Sequence, residues 1–65
     1  MKIMLNGVER EISEAALDQA LRELGYRDST IATAVNGEFI PKTQRLAIVL
    51  SEGDRIEVVA PMQGG

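Results

Sequence analysis

Polar and apolar positions alternate over residues 2–6, so Ile3 and Leu5 share one face of a short strand. Asn6-Gly7 follows, and a second extended run covers residues 8–12. Asn-Gly between two extended runs predicts a two-residue hairpin, because a type I′ turn needs positive φ at both central positions. The period then changes from two to about 3.6. Leu17, Ala20, Leu21 and Leu24 fall at i, i+3, i+4 and i+7, one apolar stripe of a helix over residues 14–24. Ser13 is the expected N-cap, with Glu14 in the first turn at the positive end of the helix dipole. Ile12 and Leu17 have the spacing of a hydrophobic staple, and Asp18 and Arg22 that of an i,i+4 ion pair on the wet side. Gly25 fits the position just past the helix end.

After a polar connection over residues 26–30, residues 31–35 and 38–40 read as two more strands. Asn36-Gly37 joins them as a second hairpin. Pro41 cannot donate to a ladder and ends the fourth strand or marks it as an edge. Leu46, Ile48 and Leu50 alternate and are expected to add core contact, Ser51-Glu52-Gly53-Asp54 reads as a turn, and residues 55–60 as the last strand. On that strand Ile56 and Val58 face inward, Glu57 and Val59 outward.

One apolar helix stripe and one apolar sheet face bury each other most economically when the helix lies across the sheet. The order hairpin, helix, hairpin, strand therefore predicts an α+β domain of the β-grasp, ubiquitin-like kind. It should have a mixed sheet of four to five strands, one main helix, and a right-handed crossover that sets the strand after the helix parallel to its neighbour. Residues 1–60 make that domain, and residues 61–65 are expected to be a flexible tail. The core list is Ile3, Leu5, Leu17, Leu21, Leu24, Val35, Ile56 and Val58.

Composition then removes most kinds of chemistry. The 65 residues include no cysteine and no histidine, so no thiol nucleophile, disulfide or imidazole base is present. The acids are scattered, without the spacing of a calcium loop, so no metal site is expected. A net charge of −3 and only two aromatics, Tyr26 and Phe39, argue against nucleic acid as a partner. No apolar run is long enough to span a membrane and no leader is evident, which leaves the cytoplasm as the expected location.

What remains is the end of the chain. Gly64 and Gly65 carry no side chains, so the terminal carboxylate fits a narrow channel in another protein, where glycine adopts whatever backbone angles the channel demands. From Ala60, the five residues to Gly65 reach roughly 16 Å when extended. Pro61 stiffens the root of that tail, and Met62 and Gln63 are candidate channel contacts beside Gly64.

Three segments carry a family resemblance: residues 3–7 (Ile-Met-Leu-Asn-Gly), residues 34–42 (Ala-Val-Asn-Gly-Glu-Phe-Ile-Pro-Lys), and residues 52–59 (Glu-Gly-Asp-Arg-Ile-Glu-Val-Val) leading to Gly64-Gly65. With them the chain resembles the small sulfur carrier proteins of thiamin biosynthesis, the ThiS group, over essentially its whole length. The helix departs from the family by lacking a Thr-Val start. The resemblance implies a protein without catalytic residues of its own, acted on by partner enzymes. An adenylyltransferase related to ubiquitin-activating enzymes would consume ATP and leave a transient AMP adduct on Gly65. A persulfide donor of the cysteine desulfurase type would convert that adduct to a thiocarboxylate, and a thiazole synthase would consume the sulfur. No cofactor is bound in this scheme. The small subunit of molybdopterin synthase, other sulfur carriers, a ubiquitin-like protein modifier and a plain β-grasp interaction domain share the ending or the fold and stand as alternatives.

The hairpin register supplies one more expectation. Val35 opposite Glu38 and Ala34 opposite Phe39 turn Ala34 and Phe39 to the side away from the helix, where Val59 also points. Phe39, Val59 and Ala34 would then form a partner-docking patch near the root of the tail. The competing reading folds Phe39 over an edge of the core.

Overall fold

A computed structural model describes residues 1–26 and 31–60. Five strands, β1 (Lys2–Leu5), β2 (Val8–Glu11), β3 (Ala32–Val35), β4 (Glu38–Ile40) and β5 (Arg55–Val59), form one mixed sheet in the order β2-β1-β5-β3-β4. One helix, α1 (Leu17–Glu23), packs on it, and a 3-10 helix spans Lys42–Ala47. This is the expected β-grasp. The last strand, β5, lies at the centre, parallel to β1 and antiparallel to β3. The parallel pair is therefore β1–β5. The strand after the helix, β3, is antiparallel to both its neighbours, contrary to the crossover expectation, because β5 takes the central slot that β3 would otherwise fill.

Ile3, Leu5, Ile12, Leu17, Ala20, Leu21, Ile40, Leu50, Ile56 and Val58 form the buried core, with Leu24 and Val35 partly buried against it. The helix stripe and the inward positions of β1 and β5 are thus as the periodicity predicts. Both Asn-Gly turns are also present: Asn6 and Asn36 have φ of 49° and 51°, and Gly7 and Gly37 have φ of 83° and 86°. The register Val35–Glu38, Ala34–Phe39, Thr33–Ile40 matches the two-residue hairpin. At the other end of α1, Gly25 N–H donates to the Arg22 carbonyl and Tyr26 N–H to the Leu21 carbonyl, closing the helix in a Schellman motif.

The start of the helix differs from expectation. Ala16, not Ser13, is the cap residue, and α1 begins at Leu17. Residues 15–17 pair instead with the segment before the Ser51–Asp54 turn. Leu50 N–H donates to the Ala15 carbonyl, and Leu17 N–H to the Ile48 carbonyl. Tertiary pairing takes the backbone groups that a first helical turn would have used, so Glu14 lies outside the helix, and Ile12 and Leu17 do not occupy the N′ and N4 positions of a staple. The predicted Asp18–Arg22 pair is also absent. The ion pairs among the described residues join the Met1 amine to Glu11 and Lys2 to Glu9. Asp18 is half-buried, with a shielded Oδ1 that has no partner.

Residues 42–50 carry the other correction. Leu46 is 72% exposed, while Ile48 is half-buried and Leu50 buried. The 3-10 helix breaks the alternation that would have put Leu46 inside. In its place Arg45 goes in, 7% exposed, and its guanidinium donates to the Ile31 carbonyl at 2.7 Å.

Candidate functional site

The predicted tail residues Met62, Gln63, Gly64 and Gly65, with Pro61, lie outside the described residues. What the structure does place is the strand that leads to them. β5 pairs with β1 through Met4–Arg55 and Leu5–Ile56 and with β3 from Ala32–Val59 to Val35–Ile56, so the two neighbouring strands overlap on it at Ile56. Ala60, the last described residue before the tail, thus follows directly from the central strand of the sheet.

Both hairpin asparagines reach onto this strand. Asn6 N–H donates to the Ile56 carbonyl. Its side-chain Oδ1 accepts from Val58 N–H at 2.9 Å, and its Nδ2 donates to the Val58 carbonyl at 3.2 Å. At the opposite end of β5, Asn36 N–H donates to the Arg55 carbonyl, and Arg55 N–H donates back to Asn36 Oδ1 at 2.9 Å. Asn36 Nδ2 also donates to Asp54, whose carboxylate accepts from Ser51 N–H and so closes the Ser51–Asp54 turn. Reading Asn-Gly only as a turn signal missed these contacts. A positive-φ asparagine turns its own carbonyl out of the ladder, and its side-chain oxygen is the group within reach to replace it.

The sheet face away from α1 carries two different surfaces. Over β2 and β1 it is charged, with Lys2 and Glu9 paired at 3.5 Å. Over β5, β3 and β4 it is largely apolar. The register sets Glu57, Ala34 and Phe39 in one cross-strand row, and Val59 beside Ala32 in the next. Phe39 is 62% exposed and Val59 66% exposed, while Ala34 between them is half-buried. Phe39 thus does not fold over the core edge. The small alanines leave Phe39 and Val59 standing above a low floor. Next to this patch, Met4, Arg55, Ile56 and Glu57 line a shallow depression between the two hairpin glycines, Gly7 and Gly37.

No group of acids among the described residues is gathered tightly enough to hold a metal ion. No helix among them is long and apolar enough to cross a membrane. One carboxylate is perturbed: Glu23 is held below the ordinary glutamate range because it accepts from Glu14 N–H and Ser13 N–H, and further from the Ser13 hydroxyl. Glu23 ties the end of α1 to the loop that precedes it.

Comparison with known proteins settles the family. The family model of the ThiS family matches residues 3–65. The chain belongs to the ThiS family. It is 35% identical over 63 residues to the sulfur carrier protein ThiS of Thermus thermophilus, covering 97% of this chain and 98% of that protein. It is 36% identical over 66 residues to a thiazole synthase of Paramagnetospirillum magneticum, and there this chain spans only 20% of the relative's length. The crystal structure of the thiamine biosynthesis protein ThiS from Geobacter metallireducens superposes with a TM-score of 0.80 over 100% of both chains at 23% identity, a likeness of fold.

Proposed function

We propose that this chain carries sulfur as a thiocarboxylate on Gly65 and delivers it for thiazole formation in thiamin biosynthesis. The observation that carries this reading is the family match running through Gly64 and Gly65, together with alignment to a sulfur carrier protein over nearly all of its length. The thiazole synthase relative supports the choice of acceptor. A stretch like this chain within a protein of that name is what two functions working on one another would produce.

The chemistry follows from the terminal carboxyl. A carboxylate at neutral pH resists attack, since the leaving group would be oxide. On an adenylyltransferase, one Gly65 carboxylate oxygen attacks the α-phosphorus of ATP. Pyrophosphate leaves, and the acyl carbon now carries AMP as a good leaving group. The terminal sulfur of a partner's persulfide attacks that carbon and AMP departs. A thiolate then attacks the donor cysteine's sulfur, forming a disulfide with it while the acyl-bound sulfur leaves as the thiocarboxylate. With no cysteine in this chain, every thiol in the sequence of steps comes from a partner. The chain itself contributes a tether and a docking surface, acting as a substrate of partner enzymes in the cytoplasm, where ATP is available.

Gly64, Gln63 and Met62 thread the partner's channel, and Phe39, Val59 and Ala34 form the surface that meets it. One patch used for both the adenylyltransferase and the thiazole synthase makes those partners mutually exclusive. Adding a single residue after Gly65 tests the reading. Adenylation should be abolished while the fold is unchanged, and Gly64→Ala should act more mildly through crowding in the channel. Undiminished adenylation of an extended, untrimmed chain would show that the reacting carboxyl is not that of Gly65.

A further inference from the structure

We infer that the Asn6 carboxamide is a positioning residue for the reactive tail, an inference that rests on the sulfur-carrier reading above. The parallel β1–β5 ladder has its last strand pair at Leu5–Ile56, because the chain turns back at Asn6-Gly7. Had β1 continued straight, a parallel ladder would next join Val58 N–H to the carbonyl of residue 6, and the Val58 carbonyl to the N–H of residue 8. The Asn6 side chain supplies both missing groups: Oδ1 takes the Val58 N–H at 2.9 Å and Nδ2 meets the Val58 carbonyl at 3.2 Å. The carboxamide thus acts as one extra peptide unit of β1.

The place where it acts is the last turn of pairing before the tail. At Val58, β5 is gripped by Thr33 of β3 on one side and by Asn6 on the other; at Val59 only the pairing with Ala32 remains. Losing the Asn6 clamp frees one side of the strand two residues before Ala60. The end of β5 is then held from the β3 side alone, and the direction in which it leads toward Gly65 is less tightly fixed. Misplacing a reacting group lowers turnover rather than encounter. The docking patch stays formed, since Ala34 and Phe39 lie on β3 and β4 and Val59 keeps its pairing with Ala32.

Asn36 provides an internal control. It makes the same turn, with φ of 51° against 49°, and the same kind of side-chain bond, but to Arg55 at the far end of β5. Asn6→Gly and Asn36→Gly both keep the positive-φ turn and delete one clamp. The experiment is steady-state adenylation of each purified full chain by its adenylyltransferase, with pyrophosphate release as readout, alongside amide exchange of Val58. For Asn6→Gly, kcat should fall about fivefold to tenfold with KM little changed, and Val58 N–H should exchange faster. For Asn36→Gly, kcat and Val58 exchange should match the unaltered chain. Equal kcat for all three proteins, or equal losses in both variants, would overturn the positioning role alone. An unaltered chain that is not adenylated would instead overturn the sulfur-carrier reading, and the inference with it.

Discussion

The two faces of the same sheet obey different rules. Toward α1, Ile3, Leu5, Ile56 and Val58 are at most 7% exposed and share one core with Leu17, Ala20 and Leu21. On the other side, Phe39 and Val59 are more than 60% exposed, and the rest of the face mixes alanine, methionine and charge. β5 belongs to both: a single residue step from Val58 to Val59 crosses from 7% to 66% exposure. The covered face decides whether the chain folds. The open face is free of that duty, and the docking role proposed for Phe39 and Val59 rests on their grouping there.

The largest effect expected is on the covered face. Leu21 is 3% exposed at the centre of the helix stripe. A buried Leu→Ala typically costs about 2–5 kcal/mol, against the roughly 3–5 kcal/mol that a core of this size supplies. Leu21→Ala should therefore be largely unfolded in chemical denaturation. A well-folded variant with little loss would dissolve the distinction between the faces. The open face should respond the other way. Phe39→Ala should leave the denaturation midpoint nearly unchanged and weaken binding to the adenylyltransferase by about 1–3 kcal/mol. Calorimetry with the folded variant decides it; unchanged affinity would move the docking surface elsewhere.

A smaller effect lies outside both faces. Glu23 has a lowered pKa in the folded chain because it accepts from Glu14 N–H and Ser13 N–H. A carboxylate whose folded pKa is depressed contributes stability that is complete above its unfolded value, about 4.3, and is lost as pH falls through the folded value. The denaturation midpoint should accordingly decline below that point, and Glu23→Gln should decline less steeply. The exposed position of Glu23 keeps the difference small. Parallel pH profiles for the two proteins would show that the loop clasp adds nothing.

How legible these features are in the sequence depends on whether local pattern or distant pairing controls them. The helix stripe, both Asn-Gly turns, the outward course of Phe39 and Val59, and the Gly25 stop all follow from periods and φ requirements within a few residues. The helix start does not. Ser13 and Glu14 have the chemistry of a helix entry, but pairing of Ala15 and Leu17 with Ile48 and Leu50 overrides it. Leu46 fails for a related reason, since alternation over residues 46–50 does not reveal that a 3-10 helix interrupts it. Arg45 gives no signal at all, because its partner, the half-buried Ile31 carbonyl, is a backbone group 14 residues away. The parallel pairing of β5 with β1, and the Asn6 clamp that prolongs it, depend on strand order, which hydropathy leaves open. For the candidate site, the outward placement of Phe39 and Val59 is legible as a consequence of hairpin register, while the role proposed for Gly64-Gly65 rests on the chain end and the family.

The central claim concerns one atom, an oxygen of the Gly65 carboxylate replaced by sulfur. Intact mass measurement of the chain isolated from its own cells, starved of thiamin and followed by fragmentation, tests it most directly. The account predicts a fraction of molecules in which one oxygen has given way to one sulfur, with the change confined to Gly65 and absent when the adenylyltransferase is deleted. Only the plain carboxylate under starvation, or Gly65 joined through an amide to lysines of other proteins, would contradict it.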